Sequence, residues 1–158
     1  MSMKSNGHDA GAATEIISSF GARPEMLIQI LHRILERFGH ISDDAIRQLA
    51  TELNLSRADV HGVVSYYHDF RTEPAGKHVV KICQAEACQA MGSRELTAHA
   101  ESTLGVGLHE TTEKVTLEPI YCLGNCACSP AVMIDGQTFG RVDAARFDEL
   151  ISGMGAKD

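Results

Sequence analysis

The chain has 158 residues, 44% apolar and 22% charged, with a formal net charge of −7; this fits a folded domain with a helical appendage and excludes wholesale disorder. The 21 acidic against 14 basic residues argue against nucleic acid or an anionic membrane as partner, because phosphate recognition needs a basic face. No run approaches the roughly 18 apolar residues of a membrane span, and the N-terminus lacks the apolar core of a secretory signal, so a cytoplasmic, reducing location without membrane insertion is expected.

Residues 1–22, rich in Gly, Ser, Asn and Ala, are expected to form a flexible tail ending in a short helical turn around Glu15–Phe20. From 23 to 72 the pattern turns helical. Met26, Leu27, Ile30, Leu31, Ile34, Leu35 and Phe38 recur at helical spacing after Pro24, and Gly39 stops the run,. Ser42 is a suitable N-cap for a second helix bearing Ile46, Leu49, Ala50 and Leu53, with Ile41 placed to staple onto Ile46,. Ser56-Arg57-Ala58-Asp59 has the form of a capping box and opens a third helix through Val60, Val63, Val64 and Tyr67,. A small three-helix unit results.

The run Arg71–Lys77, with Pro74 and Gly76, marks a linker,. Beyond it, over residues 76–158, strands and helices mix. His78–Ile82 has the β-branched residues of a buried strand leading into Cys83, and Arg94–Thr103 is helical up to Gly105,. Lys114–Tyr121 alternates, with Val115, Leu117 and Pro119 on one face, and Pro119 points to a strand end or an edge,. Val132–Ile134 and Gln137–Phe139 flank Asp135-Gly136, a two-residue hairpin signal,. Asp143 is placed to cap a last helix through Phe147, Leu150 and Ile151. The class is α/β, an N-terminal three-helix unit followed by a domain with a mixed sheet.

The chemistry lies in the cysteines. Cys83 and Cys88 are separated by four residues and Cys122 and Cys126 by three, with 33 residues between the pairs. Each pair follows a predicted strand, so neighbouring strands would bring both to one sheet edge. Four thiolates, two per iron, match a [2Fe–2S] cluster. The same soft donors suit structural zinc, whose ligand pairs span two to four residues. A dithiol of the Cys-x-x-Cys kind is absent, and none of the eight His lies in a cysteine loop, which excludes thioredoxin chemistry and a Rieske centre,. Gly124, Ala85 and Ala87 are small enough to let backbone N–H groups turn toward sulfur, one lever on reduction potential. Cys128 is expected to pack near the group rather than ligate it.

The run Cys-x4-Cys followed by Tyr121-Cys122-Leu123-Gly124-Asn125-Cys126-Ala127-Cys128-Ser129-Pro130 resembles the thioredoxin-like [2Fe–2S] subunit family of respiratory complex I, its 24 kDa subunit, a family that includes subunits of NAD-reducing hydrogenases and NAD-dependent formate dehydrogenases. Asp59–Tyr67 is similar to the helical region preceding that family's ferredoxin domain. The resemblance implies that Cys83, Cys88, Cys122 and Cys126 hold one [2Fe–2S] cluster on a thioredoxin-like fold at 76–158. The wording Cys83-Gln-Ala-Glu-Ala-Cys88-Gln looks most like the gamma subunit of molybdenum-containing, NAD-dependent formate dehydrogenase. It implies a partner carrying flavin (FMN) and NAD, and a larger subunit carrying molybdenum and iron–sulfur centres.

No residue stands out as a catalytic acid, base or nucleophile, and neither Gly-x-Gly-x-x-Gly nor a P-loop occurs,. The chain is expected to carry electrons while catalysis belongs to the complex. Rival readings are a subunit of NADH:quinone oxidoreductase or NAD-reducing hydrogenase, a zinc-stabilised module, a free-standing ferredoxin, and a helix–turn–helix regulator over Ile46–Tyr67. The last is disfavoured: Pro24–Phe70 holds four Arg against seven Asp or Glu,. Tyr66, Tyr67, Phe70 and His68 form either an aromatic contact patch or a cap on the helical core, and His61 and His68 are surface or interface residues rather than ligands.

Overall fold

A computed structural model of the chain describes residues 9–155, so the first eight residues of the flexible tail expected over 1–22 lie outside the described residues. The chain divides into two compact units, one ending at Pro74 and one beginning at Ala75.

In the first unit, helix α1 (Ala10–Ser19) corrects the tail reading over its own span. Asp9 caps it, its carboxylate accepting from the N–H groups of Gly11 and Ala12. Ala13 and Ile17 are buried. Pro24–Met26 forms a 3-10 turn rather than the first turn of an α-helix, and α2 (Leu27–Phe38) follows, burying Leu27, Ile30, Leu31 and Ile34 along one stripe. Gly39, at φ 77°, ends it in the left-handed conformation that glycine takes without strain,. Helix α3 (Asp43–Glu52) starts at Ser42, whose hydroxyl accepts from Ala45 N–H. Helix α4 (Arg57–Tyr66) starts at the complete Ser56–Asp59 capping box.

The unit therefore has four α-helices among the described residues instead of three. One apolar cluster holds Ile17, Ile30, Leu31, Ile34, Ile41, Ile46, Leu49, Leu53, Val60, Val64 and Phe70. Gln48 of α3 donates to the Ala10 carbonyl and to Thr14 Oγ1, at 2.9 and 2.8 Å, fastening α1 to that core. Phe70 belongs to the core at 5% exposure, whereas Tyr66 is 75% exposed.

The second unit is built on β1 (His78–Cys83), β2 (Glu110–Thr111), β3 (Val115–Ile120), β4 (Val132–Ile134) and β5 (Gln137–Phe139). They form one sheet in the order β2-β3-β1-β4-β5. β1 and β3 run parallel, and the other pairings are antiparallel. α5 (Glu86–Ala90) and α6 (Ser93–Leu104) connect β1 to β2, and α7 (Ala144–Gly155) closes the chain. Val80, Ile82, Leu117, Val132 and Ile134 of the sheet share a core with Leu96 and Ala100 of α6 and Phe147 of α7.

Pro119 marks a strand end, one residue before β3 finishes, and not an edge strand, because β3 lies between β2 and β1. Leu117, of the same parity, turns its carbonyl to His109 on the β2 side, and β2 pairs no further along β3 than Leu117. The missing N–H of Pro119 thus falls where no strand needs it. Thr116 lies on the outer face yet is 3% exposed, because its hydroxyl accepts from Gly76 N–H and meets Thr111. Asp135 and Gly136, at φ 48° and 84°, make the β4–β5 turn with both central residues left-handed,.

Ile17 tests whether α1 is part of the fold. Ile17→Ala should lower stability by about 2–5 kcal/mol, the usual cost of truncating a buried aliphatic side chain, read as a shift in the denaturant midpoint. An unchanged midpoint would return α1 to the status of a tail.

Candidate metal centre

Parallel pairing of β1 and β3 sets Cys83 opposite Ile120. The first cysteine loop begins there, and the second begins two residues past Ile120. β4 starts at this same sheet end, where Cys83 N–H donates to the Ala131 carbonyl at 3.0 Å, and β5 finishes there, with Phe139 paired to Val132. Every segment bearing a cysteine therefore converges on one end of the sheet.

The first loop is short and pinned. After Cys83 the chain enters α5, which places Cys88 in its middle. Gln89 donates to the Gln84 carbonyl, Gln84 donates to Thr97, and Ser93 Oγ donates to the Cys83 carbonyl. Cys83 and Cys88 are each 2% exposed.

The second loop lies at the surface. Cys122 adopts φ 139°, a conformation that L-residues rarely take, and such strain gathers at ligand clamps,. Gly124 follows at φ 71°, its N–H donating to Cys122 Sγ at 3.3 Å. Cys122 and Cys126 are exposed, with their sulfurs 3.9 Å apart. A 3-10 turn, Cys126–Cys128, carries the chain past Cys128 to the buried Ser129 and a cis peptide at Ser129–Pro130.

Two residues that the sequence does not single out hold this loop in place. Gly140 lies so close that a Cβ there would stand 2.6 Å from both Asn125 Nδ2 and Cys128 Cβ. The next residue, Arg141, donates its N–H to the Cys128 carbonyl. Ser129 is the other: its hydroxyl donates to the Cys126 carbonyl at 2.8 Å and lies 3.5 Å from Cys88 Sγ. Its one sequence cue is a small hydroxyl residue beside Pro130.

The two pairs also meet each other. The Leu123 N–H, from the second loop, favours the ionised sulfur of Cys83. As free thiols the cysteines are tuned unequally. Burial pushes the Cys83 thiol up, against the N–H bonds from Ala85 and Leu123, and the neighbouring Cys88 pushes it further. Burial also resists ionisation of Cys88, but bonds from Ser129, Cys83 and the Ala131 amide together hold it below the usual thiol range. The Cys126 thiol is raised, first by its bond with Cys122 and then by that neighbour's charge.

Among the described residues no three His, Cys, Asp or Glu side chains are gathered for a single metal ion. The thiols stand as two pairs, with the Gly124 N–H on the Cys122 sulfur, a donor set that fits two irons sharing four thiolates. The unit also has a cleft lined by His78, Asp135, Gln137, Glu149 and Met154, and no cysteine lines it.

Comparison with known proteins is consistent with this geometry. The sequence matches the family described as thioredoxin-like [2Fe–2S] ferredoxin over residues 13–155. It is 33% identical to a subunit of the NADH-quinone oxidoreductase of Buchnera aphidicola subsp. Baizongia pistaciae, over 80% of this chain and 75% of that one. It is 34% identical to the corresponding NADH-quinone oxidoreductase subunit of Pseudomonas aeruginosa, over 73% of this chain and 70% of that one. A crystal structure of an NAD+-reducing [NiFe]-hydrogenase in the air-oxidised state has the same fold over 84% of this chain and 23% of its own, with a TM-score of 0.70 at 24% identity.

Gly140→Ala should push the Asn125–Cys128 turn outward, costing about 1–3 kcal/mol of stability, as overpacking does, and lowering the iron retained per chain. Gly62→Ala is the control: it meets no atom within 4 Å in α4 and should stabilise by about 0.5–1 kcal/mol. Equal iron retention in the two variants would mean that Gly140 does not seat the loop.

Proposed function

The chain belongs to the thioredoxin-like [2Fe–2S] ferredoxin family, and we propose that Cys83, Cys88, Cys122 and Cys126 are its cluster ligands in an electron-carrying subunit of an NAD-linked oxidoreductase. The observation that carries this reading is the convergence of the two cysteine pairs at one sheet end, with a backbone N–H group on the Cys122 sulfur. When bound, a [2Fe–2S] cluster supplies one-electron transfer.

The residues of the chain do the rest. Cys83 and Cys88 anchor the group from the buried side, where main-chain donors offset negative charge brought out of water. Cys122 and Cys126 present it at the surface, where a partner can approach closely. Tyr121 and Met91, 64% and 62% exposed beside the two loops, offer apolar contact there. Flavin and pyridine nucleotide then belong to a docking partner, which reduced flavin would equip as a one-electron donor.

The relatives support one type of assembly over the others. Those at 33% and 34% identity are subunits of NADH-quinone oxidoreductase. They favour that assembly over formate dehydrogenase. The formate dehydrogenase reading and its molybdenum-containing partner rest on the Cys83–Gln89 wording alone. Among the described residues no helix is long and apolar enough to cross a membrane.

Iron and acid-labile sulfide should each number about two per purified chain, with an S = ½ EPR signal after dithionite reduction. Serine at Cys83, Cys88, Cys122 or Cys126 should abolish or distort that signal, and Cys128→Ser should keep it. Stoichiometric zinc without labile sulfide would sink the proposal and leave a zinc-stabilised module.

A further inference from the structure

Ser129 touches both ligand pairs at once. It is buried, its hydroxyl donates to the Cys126 carbonyl at 2.8 Å, and the free Cys88 thiol donates to its oxygen at 3.5 Å, a contact whose direction must reverse once Cys88 is a thiolate with no proton to give. A hydroxyl has one proton to donate, so the two acceptors compete for it. The carbonyl is a neutral acceptor of fixed strength. The sulfur is not: bound to iron it is a thiolate, and its negative charge grows when the cluster gains an electron.

We propose that Ser129 is a positioning residue whose hydroxyl spans the Cys88 and Cys126 loops and stabilises the reduced cluster more than the oxidised one. The proposal rests on the ligand assignment above and deepens it. Hydrogen bonds to charged acceptors are about twice as strong as neutral ones. One-electron reduction adds a full negative charge across the cluster and its sulfurs, so the proton is drawn from the Cys126 carbonyl toward Cys88 Sγ. A donor that binds the reduced state more tightly raises the reduction potential. The site is well placed for this, because Cys88 is 2% exposed and water cannot readily substitute for the lost donor.

The test is an EPR-monitored redox titration of the full chain carrying its cluster, comparing wild type, Ser129→Ala and Ser129→Thr. Alanine is smaller than serine and creates no clash. Ser129→Ala is expected to keep about two irons and two sulfides per chain while its midpoint moves negative. At the wild-type midpoint, the reduced-to-oxidised ratio should fall about tenfold, which corresponds to about 59 mV for one electron. Ser129→Thr, which restores the hydroxyl, should bring the midpoint back toward wild type.

An unchanged midpoint in Ser129→Ala would overturn the proposal. Loss of the cluster from Ser129→Ala, with wild type still loaded, would also overturn it, since Ser129 would then be only a structural tie between loops. Failure of the ligand reading looks different: the wild-type chain itself would show no labile sulfide and no signal.

Discussion

The whole site depends on one backbone register. β1 and β3 are parallel neighbours, and their ladder sets Cys83 beside Ile120. Side chains alternate along a strand, so a slip of one residue would send Cys83 into the helix-covered core and turn Val80 and Ile82 away from it. The apolar pattern forbids that slip: Val80, Ile82 and Leu117 are all fully buried on the same face. The requirement to bury aliphatic surface thereby fixes where the sulfurs lie. Two cysteine pairs far apart in sequence meet without any direct bond between their loops having to specify it.

The two pairs stand in different environments. Around Cys83 and Cys88 the problem is desolvation, since an ionised sulfur out of water is costly unless donors face it. The surroundings answer with N–H groups of Ala85, Leu123 and Ala131 and with the Ser129 hydroxyl. At Cys122 and Cys126 water performs that task, and the difficulty is geometric. A short loop must turn both sulfurs the same way, which it does through the positive φ of Cys122 and Gly124. Rigid inner anchoring and a strained outer loop are complementary: the first fixes the position, and the second lets the group reach the surface.

Most local structure was legible because it follows short-range rules. The Ser56–Asp59 capping box and the Asp135-Gly136 hairpin each involve groups within three residues of each other, and both form as the sequence indicates. The convergence of the cysteine pairs was legible too, because each follows a strand. The rest depends on tertiary partners. α1 has few large apolar residues, and its docking relies on Ile17 and on polar bonds from Gln48. β2 is two residues long and exists only by pairing with β3. Pro119 lies next to the last residue of β3, as a strand end requires, and only its edge alternative fails, because a sequence shows the missing donor but not where the neighbouring strand stops. Gly140 carries no signal at all, since a steric need for glycine is visible only when Cys128 and Asn125 are in place.

Ser129 shows why proximity in sequence hides proximity in function. It lies three residues from Cys126 but 41 from Cys88, so a reading along the chain assigns it to the second loop alone. In space its hydroxyl is within hydrogen-bond reach of both ligand segments. Neutral and charged acceptors then compete for a single proton. In that arrangement, the bond to sulfur strengthens as sulfur becomes more negative, and the bond to the carbonyl weakens in step. The same hydroxyl can hold two loops together when the cluster is oxidised and favour the electron's arrival when it is reduced. A carrier needs both, because its loops must stay in place through each cycle while its potential stays matched to its partners. No ionisable side chain would serve as well: a buried Lys or His would add a charge of its own, whereas a hydroxyl responds to the cluster's charge without contributing one.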